Sequence, residues 1–150
     1  MNSKIKQFSL NVFAPLIIGS LLYISFRSET LIMFSWFETV GLSSFVNGIR
    51  TILNPFKENI PTWIYHSLPD GLWVYSFTSS YMLIWGKDIQ SAKYWLLLPL
   101  VFGSVVELMQ GIRIFPGTYD ILDFVCCSLG LLLSLLIFKF KSNKYEQKLF

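Results

Sequence analysis

Four apolar stretches, each near the length of about 20 residues that a helix needs to cross hydrocarbon, constrain this chain more than any other feature. They cover residues 8–26, 71–85, 94–112 and 121–138. Backbone N–H and C=O groups in lipid must be satisfied within the segment, so stretches of this kind fold as helices. The expectation is an all-α membrane protein with four transmembrane helices. Composition excludes the alternatives: 53% of residues are hydrophobic and 14% charged, against about 25% charged in soluble domains. So much apolar surface also excludes disorder. No polar or Pro/Gly-rich stretch is long enough to divide the chain, which reads as a single membrane domain over residues 1–150. The second stretch is the most polar, with Ser76, Thr78, Ser79 and Ser80. Helices tolerate such residues where they face other helices. The first stretch is not read as a cleaved signal peptide, because no small-x-small site precedes the aromatic run after it.

Lysine and arginine orient the spans. Four crossings place both termini on one side, together with Lys4, Lys6, Lys87, Lys93, Lys139, Lys141, Lys144 and Lys148. The other side receives Arg27, Arg50, Lys57 and Arg113. Basic residues in short loops stay inside, so the N- and C-termini are expected in the cytoplasm. The lysine-rich end then serves as an anchor near anionic lipid, at about 1 kcal/mol per basic residue. Nucleic acid is excluded as a partner, since no basic face exists to hold it. The expected partners are membrane lipids, with other membrane proteins or a second copy as further options.

Between the first two spans, residues 31–53 place Phe34, Phe37, Gly41, Phe45, Ile49 and Ile52 close to a helical repeat, with Glu38, Ser44, Asn47 and Arg50 between them. This predicts an amphipathic helix on the outer face, in the interface plane, or a re-entrant element packed on the bundle. Packing against the bundle and covering the polar cluster as a lid are both open to it. Asn54-Pro55 ends it, because the residue before proline avoids the helical region. Trp36, Trp63, Tyr65 and Trp73 are assigned to an aromatic belt at the headgroup level. The only cysteines, Cys126 and Cys127, adjoin one another in an apolar run. That arrangement is neither a disulfide framework nor a zinc site, and packing is the expected role.

Ionisable residues gather at the turn between the third and fourth spans, Glu107, Asp120 and Asp123, with the polar Gln110 beside them. Helical spacing puts Gly103, Glu107, Gln110 and Gly111 on one face, and Asp123, Cys127, Gly130 and Ser134 on another. Glycines on the first face would let a neighbouring backbone come close. The turn Phe115-Pro116-Gly117-Thr118 would pair the two helices antiparallel and bring the acids together. Asp120 stands where an N-cap belongs, and Asp123 falls in a first turn, where the helix dipole favours an anion. A structural role therefore stands beside a functional one for both. Glu107 lies at the helix end where the dipole disfavours an anion, so it needs a proton, a cation or a polar cavity. Arg27 and Arg113 are the available cations, and Asp70 adds an acid on the same side. The expected ligand-binding set is Arg27, Asp70, Glu107, Gln110, Asp120 and Asp123.

No catalytic residue and no cofactor are assigned, and a metal is left open, since Asp and Glu can hold magnesium or calcium. The inventory disfavours catalysis: His66 is the only histidine, no serine or cysteine has an evident adjacent base, and no phosphate loop, CxxC, HExxH or internal repeat occurs.

At these residues the chain resembles the VanZ-like family of small four-span bacterial membrane proteins. Glu107 and Gln110 match the family's glutamate and glutamine, Asp123 its aspartate and Gly130 its glycine. Cys127 occupies an asparagine position, and Gly117 aligns with a loop arginine. The motif that opens the second span is reduced to Asp70, with Gly71 and Val74 where lysine and histidine would stand. The resemblance covers roughly the second half of the chain. It implies a bacterial cytoplasmic-membrane protein, linked to the cell envelope and to tolerance of glycopeptides such as teicoplanin, with no reaction assigned. Three functions follow as expectations. The first is an outward-facing polar pocket for a lipid headgroup, envelope precursor or cation. The others are a structural or assembly subunit of a larger membrane complex, and a lipid-acting enzyme using paired carboxylates.

Overall fold

The computed structural model describes residues 3–85, 89–114 and 119–146, and every regular element among them is helical. The first three run end to end: α1 (Ser3–Phe8), a π-helical turn (Ser9–Phe13) and α2 (Ala14–Phe26). There follow α3 (Ile32–Thr39), α4 (Ser43–Leu53), a 3₁₀ turn (Asn54–Asn59), α5 (Thr62–His66), α6 (Leu68–Trp85), α7 (Ile89–Gly111) and α8 (Ile121–Glu146). Three helices are long and apolar enough to cross a membrane: Lys4–Phe26, Gln90–Gly111 and Ile121–Phe138. Helix α6 is not among them, and its position explains why.

Helix α6 is the centre of the bundle, packed against α2, α7 and α8. It buries Pro69, Gly71, Val74, Ser76, Thr78, Ser79 and Met82 over most of its circumference and leaves one strip, with Phe77 and Ile84, exposed. Packed against protein on most sides, it needs less of the hydropathy that full lipid exposure demands. Its hydroxyls instead join it to its neighbours. Ser76 donates to the Val12 carbonyl at 2.8 Å, Thr78 to the Leu96 carbonyl at 3.5 Å, and the Ser79 and Ser134 hydroxyls meet at 3.0 Å. The π-helical turn takes part in the same seam. Asn11 inside it accepts from the Tyr75 hydroxyl at 2.9 Å and donates to the Gln7 carbonyl at 2.9 Å.

The tightest seam lies between α6 and α8, which run parallel: Gly71 meets Cys126 and Gly130, and further along Ser79 meets Ser134. A Cβ on Gly71 would lie 2.6 Å from the Cys126 carbonyl oxygen, and one on Gly130 would overlap the Gly71 carbonyl. Val74, Cys127 and Leu131 pack beside this contact, so Cys127 does fill a core position. Close approach was expected at Gly103 and Gly111 instead. There, added Cβ atoms would meet Cys127 Sγ and Tyr119 at an ordinary 3.5 Å, so α7 and α8 are held less closely. Helix α7 keeps an open apolar flank that includes Leu98, Val101, Phe102, Val105 and Leu108.

Residues 31–53 form two helices, not one. Helix α3 closes with Gly41 at φ +75°, the Leu42 N–H reaching the Phe37 carbonyl at 2.8 Å and the Gly41 N–H reaching Glu38 at 3.1 Å. This is a glycine-terminated helix end, with Gly41 as the left-handed residue just past the helix. Counting Gly41 as part of the apolar repeat concealed the break. Helix α4 ends at Leu53, but Asn54 keeps helical angles (φ −57°, ψ −35°) and the chain runs on into the 3₁₀ turn, so the proline changes the helix type and does not force the preceding residue out of the helical region. Its Arg50 turns back onto α2, donating to the Ile24 and Arg27 carbonyls at 2.7 and 2.9 Å and pairing with Glu29 at 3.1 Å. The guanidinium thus satisfies carbonyls that the end of α2 leaves free. The lysine-rich stretch after residue 138 continues α8 as far as Glu146. The turn at 115–118, with Gly117, and Lys87, Asp88 and Lys148 lie outside the described residues.

Candidate functional site

Four helix termini meet at one end of the bundle. Arg27 directly follows α2, and Asp70 and Asp123 occupy the first turns of α6 and α8. Glu107 and Gln110 belong to the last turns of α7. Together with Arg27, these side chains line one cavity of about 300 Å³. Away from the charged end its walls are apolar, formed by Phe77, Pro99, Phe102 and Val106. No residue of α3 or α4 lines it, so the segment 31–53 does not cover the cavity in this structure. Five of the six expected residues therefore share one cavity. The sixth, Asp120, lies beside it and is not part of its lining.

Asp120 caps α8, its Oδ1 accepting the Leu122 N–H at 2.9 Å. Its own N–H donates to Glu107 Oε2 at 3.2 Å, so the start of α8 holds the acid of α7 in place. Glu107 and Asp123 are 8% and 4% exposed and line the same cavity from α7 and α8. Asp123 Oδ1 is buried with no hydrogen-bond partner. A buried, unsatisfied carboxyl oxygen is costly.

Glu107 does not pair with Arg27, one of the two cations open to it. Arg27 Nη2 lies 3.9 Å from Asp70 Oδ2, and Nη1 lies 3.1 Å from His66 Nδ1. The guanidinium also sits 5.2 Å from the Tyr23 ring centre. Asp70 is nearer in space because α5 and the start of α6 fold against the end of α2. Arg113 also provides no partner, since it ends α7 in an exposed left-handed turn at φ 60°. Among the described residues Glu107 has no ion pair, and its anchor is the Asp120 N–H.

His66 was weighed only as a catalytic base; the structure uses it to position Arg27. Because a guanidinium only donates, His66 Nδ1 must be the accepting nitrogen of a neutral ring. Burial, followed by the Arg27 charge, pushes the His66 imidazole below its ordinary value of 6.5, which keeps it neutral. Trp73, assigned to an aromatic belt, lines the cavity, with its ring centre 5.2 Å from that of Tyr23. Neither role carries a sequence signal: both depend on how α5 and α6 fold against α2. Among the described residues no group of three His, Cys, Asp or Glu side chains is arranged to hold a metal ion.

No protein-family model, curated protein or solved structure matches the chain, and the VanZ-like resemblance rests on its own residues.

Proposed function

We propose that this chain is a VanZ-like protein of four spans in a bacterial cytoplasmic membrane, with its termini inside. Its outward-facing cavity binds a lipid headgroup, an envelope precursor or a cation. The observation that carries this reading is the convergence of Arg27, Asp70, Glu107, Gln110 and Asp123 from four helix ends on one cavity, with an unsatisfied Asp123 oxygen among them. Ionisable groups at membrane depth are costly and mark sites of function by default. Helix α6 is the fourth span: its burial among three long apolar helices supplies what its hydropathy lacks. The lysine distribution supports the orientation, and the α3–α4 pair then rests at the outer interface.

Native mass spectrometry of the gently extracted protein, wild type beside Glu107→Gln, tests this reading. A discrete bound lipid or ion that is lost in the variant is the expected result. A stoichiometric protein partner with no small ligand would overturn it and make the chain a subunit of a larger complex.

A further inference from the structure

The cavity is shaped by the way α7 leaves α6. Over its first turns α7 is packed down on α6. Ala92 and Leu96 are buried with Met82, the Thr78 hydroxyl donates to the Leu96 carbonyl at 3.5 Å, and the Trp85 and Trp95 rings stack with centres 6.1 Å apart. From residue 97 to Gly111, the one buried residue of α7 is Glu107. Pro99 stands where this change begins. A proline inside a helix loses one backbone hydrogen bond and crowds the preceding turn, which bends the axis. The space beyond it is the cavity.

Two stripes border that space. Pro99, Phe102, Gly103, Val106, Glu107 and Gln110 recur along α7 at three- and four-residue steps. Asp70, Trp73, Val74 and Phe77 do the same along α6. Each stripe carries its ionisable residue towards one shared end and turns apolar away from it. Of all the residues that line the cavity, only Phe77 and Phe102 are exposed, at 49% and 71%. Phe77 lies about 10 Å along α6 from Asp70, and Phe102 about 12 Å along α7 from Gln110. The cavity is therefore open on its side, partway down the apolar stretch, next to the bare flank of α7 at Leu98, Val101 and Val105.

Few things can fill such a space. Water needs two to four polar partners, which walls of Phe77, Pro99, Phe102 and Val106 do not offer. Left empty, those walls would forfeit their dispersion contacts. Hydrocarbon fits on both position and length. The side opening is continuous with the flank of a helix long and apolar enough to cross a membrane. The lining of α7 from Pro99 to Gln110 covers about 16 Å, against about 15 Å for one leaflet of a hydrocarbon core about 30 Å thick. Just past Pro99 the Thr78–Leu96 contact closes the far end. A chain much longer than one leaflet has no room.

We propose that the cavity seats one acyl chain of a bilayer lipid. The chain enters sideways past Phe77 and Phe102, lies between the stripes of α6 and α7, and leaves its headgroup at the end marked by Arg27, Glu107 and Gln110. This rests on the pocket reading above and narrows its ligand to a lipid with leaflet-length chains, held by the chain.

The test is retention by the full chain in detergent, read by native mass spectrometry. The probes are dioleoyl phosphatidylethanolamine, phosphatidylglycerol and phosphatidylcholine in equal amounts, so that no headgroup is presumed. The competitors are the deacylated glycerophosphodiesters of the same lipids and, in a separate arm, a long-chain polyprenyl phosphate. Wild type is expected to keep one diacyl lipid, undisplaced by the chainless compounds and held at least tenfold over the polyprenyl phosphate. Val106→Trp puts bulk into the cavity and should cut retention at least tenfold. Val105→Trp adds the same bulk at a neighbouring residue that is 44% exposed and outside the lining, and should retain lipid as wild type does. Val106→Phe carries the test if Val106→Trp fails to fold by circular dichroism. Undiminished retention in the Val106 variants, an equal loss in Val105→Trp, displacement by the chainless compounds, or preference for the polyprenyl phosphate would each overturn the acyl seat. A small ion or soluble ligand held in place of lipid, and lost in Glu107→Gln, would sink this inference but leave the pocket reading standing. Retention of nothing by wild type would sink both.

Discussion

Replacing Gly71 with alanine would test whether the α6–α8 seam is as tight as the backbone indicates. The new methyl would lie 2.6 Å from the Cys126 carbonyl oxygen and 2.9 Å from its carbon. Ordinary contact begins near 3.4 Å, so the two helices must part by about 0.8 Å at this point. Overpacking of a well-filled contact costs about 1–3 kcal/mol. The better helix propensity of alanine returns up to about 1 kcal/mol of that. Set against the middle of that range, about 2 kcal/mol, a net loss of about 1 kcal/mol is expected, and the parting would also strain the Ser79–Ser134 contact. Gly48→Ala is the matched control: Gly48 lies within α4, and nothing is within 4 Å of its new methyl, so propensity alone should act and stability should rise. Reversible unfolding in mixed micelles, followed by tryptophan fluorescence, reads both variants. If Gly71→Ala is as stable as wild type, the seam has slack and the account of α6 as a tightly clasped central helix is wrong.

Three further outcomes follow from named contacts. A double-mutant cycle on Ser79→Ala and Ser134→Ala should give a coupling of about 0.6 kcal/mol in micelle unfolding, the average for interhelical hydrogen bonds in membranes; a coupling of zero would mean the hydroxyls do not bond. Arg50→Met keeps the aliphatic stem but removes the donors to the Ile24 and Arg27 carbonyls, so a loss of about 2 kcal/mol is expected by the same assay. No loss would show that water caps α2 equally well. For His66, the folded-state imidazole titrates below its ordinary value, so on acidification the unfolded chain takes up the proton first. The contribution of His66 is complete above about pH 6.5 and is lost as pH falls through the lower folded value. Wild type should therefore lose more thermal stability between pH 7.5 and 5.5 than His66→Gln does, and equal losses would refute the neutral-ring contact with Arg27.

Local pattern carried a good deal. The apolar stretches at 8–26, 94–112 and 121–138 are legible as long helices because hydropathy summed over twenty residues is a local quantity. Asp120 as an N-cap is legible for the same reason, since the cap acts on the first turn that follows it. Glu107, Gln110 and Asp123 were found because polar groups inside an apolar run stand out without any knowledge of neighbours. The break at Gly41 was misread because glycine fits both an apolar repeat and a left-handed helix end, and only the φ angle separates the two.

What only the tertiary structure decided is which residue meets which. Arg27 was equally free to reach Glu107 or Asp70, and the packing of α5 and α6 on α2 placed it beside Asp70 and His66. The glycines that matter are Gly71 and Gly130, in parallel helices joined only through α7, and no spacing along one helix reveals such a contact. Helix α6 looked like the weakest span by its serines and threonine, yet those hydroxyls hold it at the centre of the bundle. The physical reason is common to all three. The sequence by itself determined which segments prefer a helix and how costly each is to place in lipid. Whether a polar group is a liability or a link depends on the partner opposite it, and partners are assigned by packing.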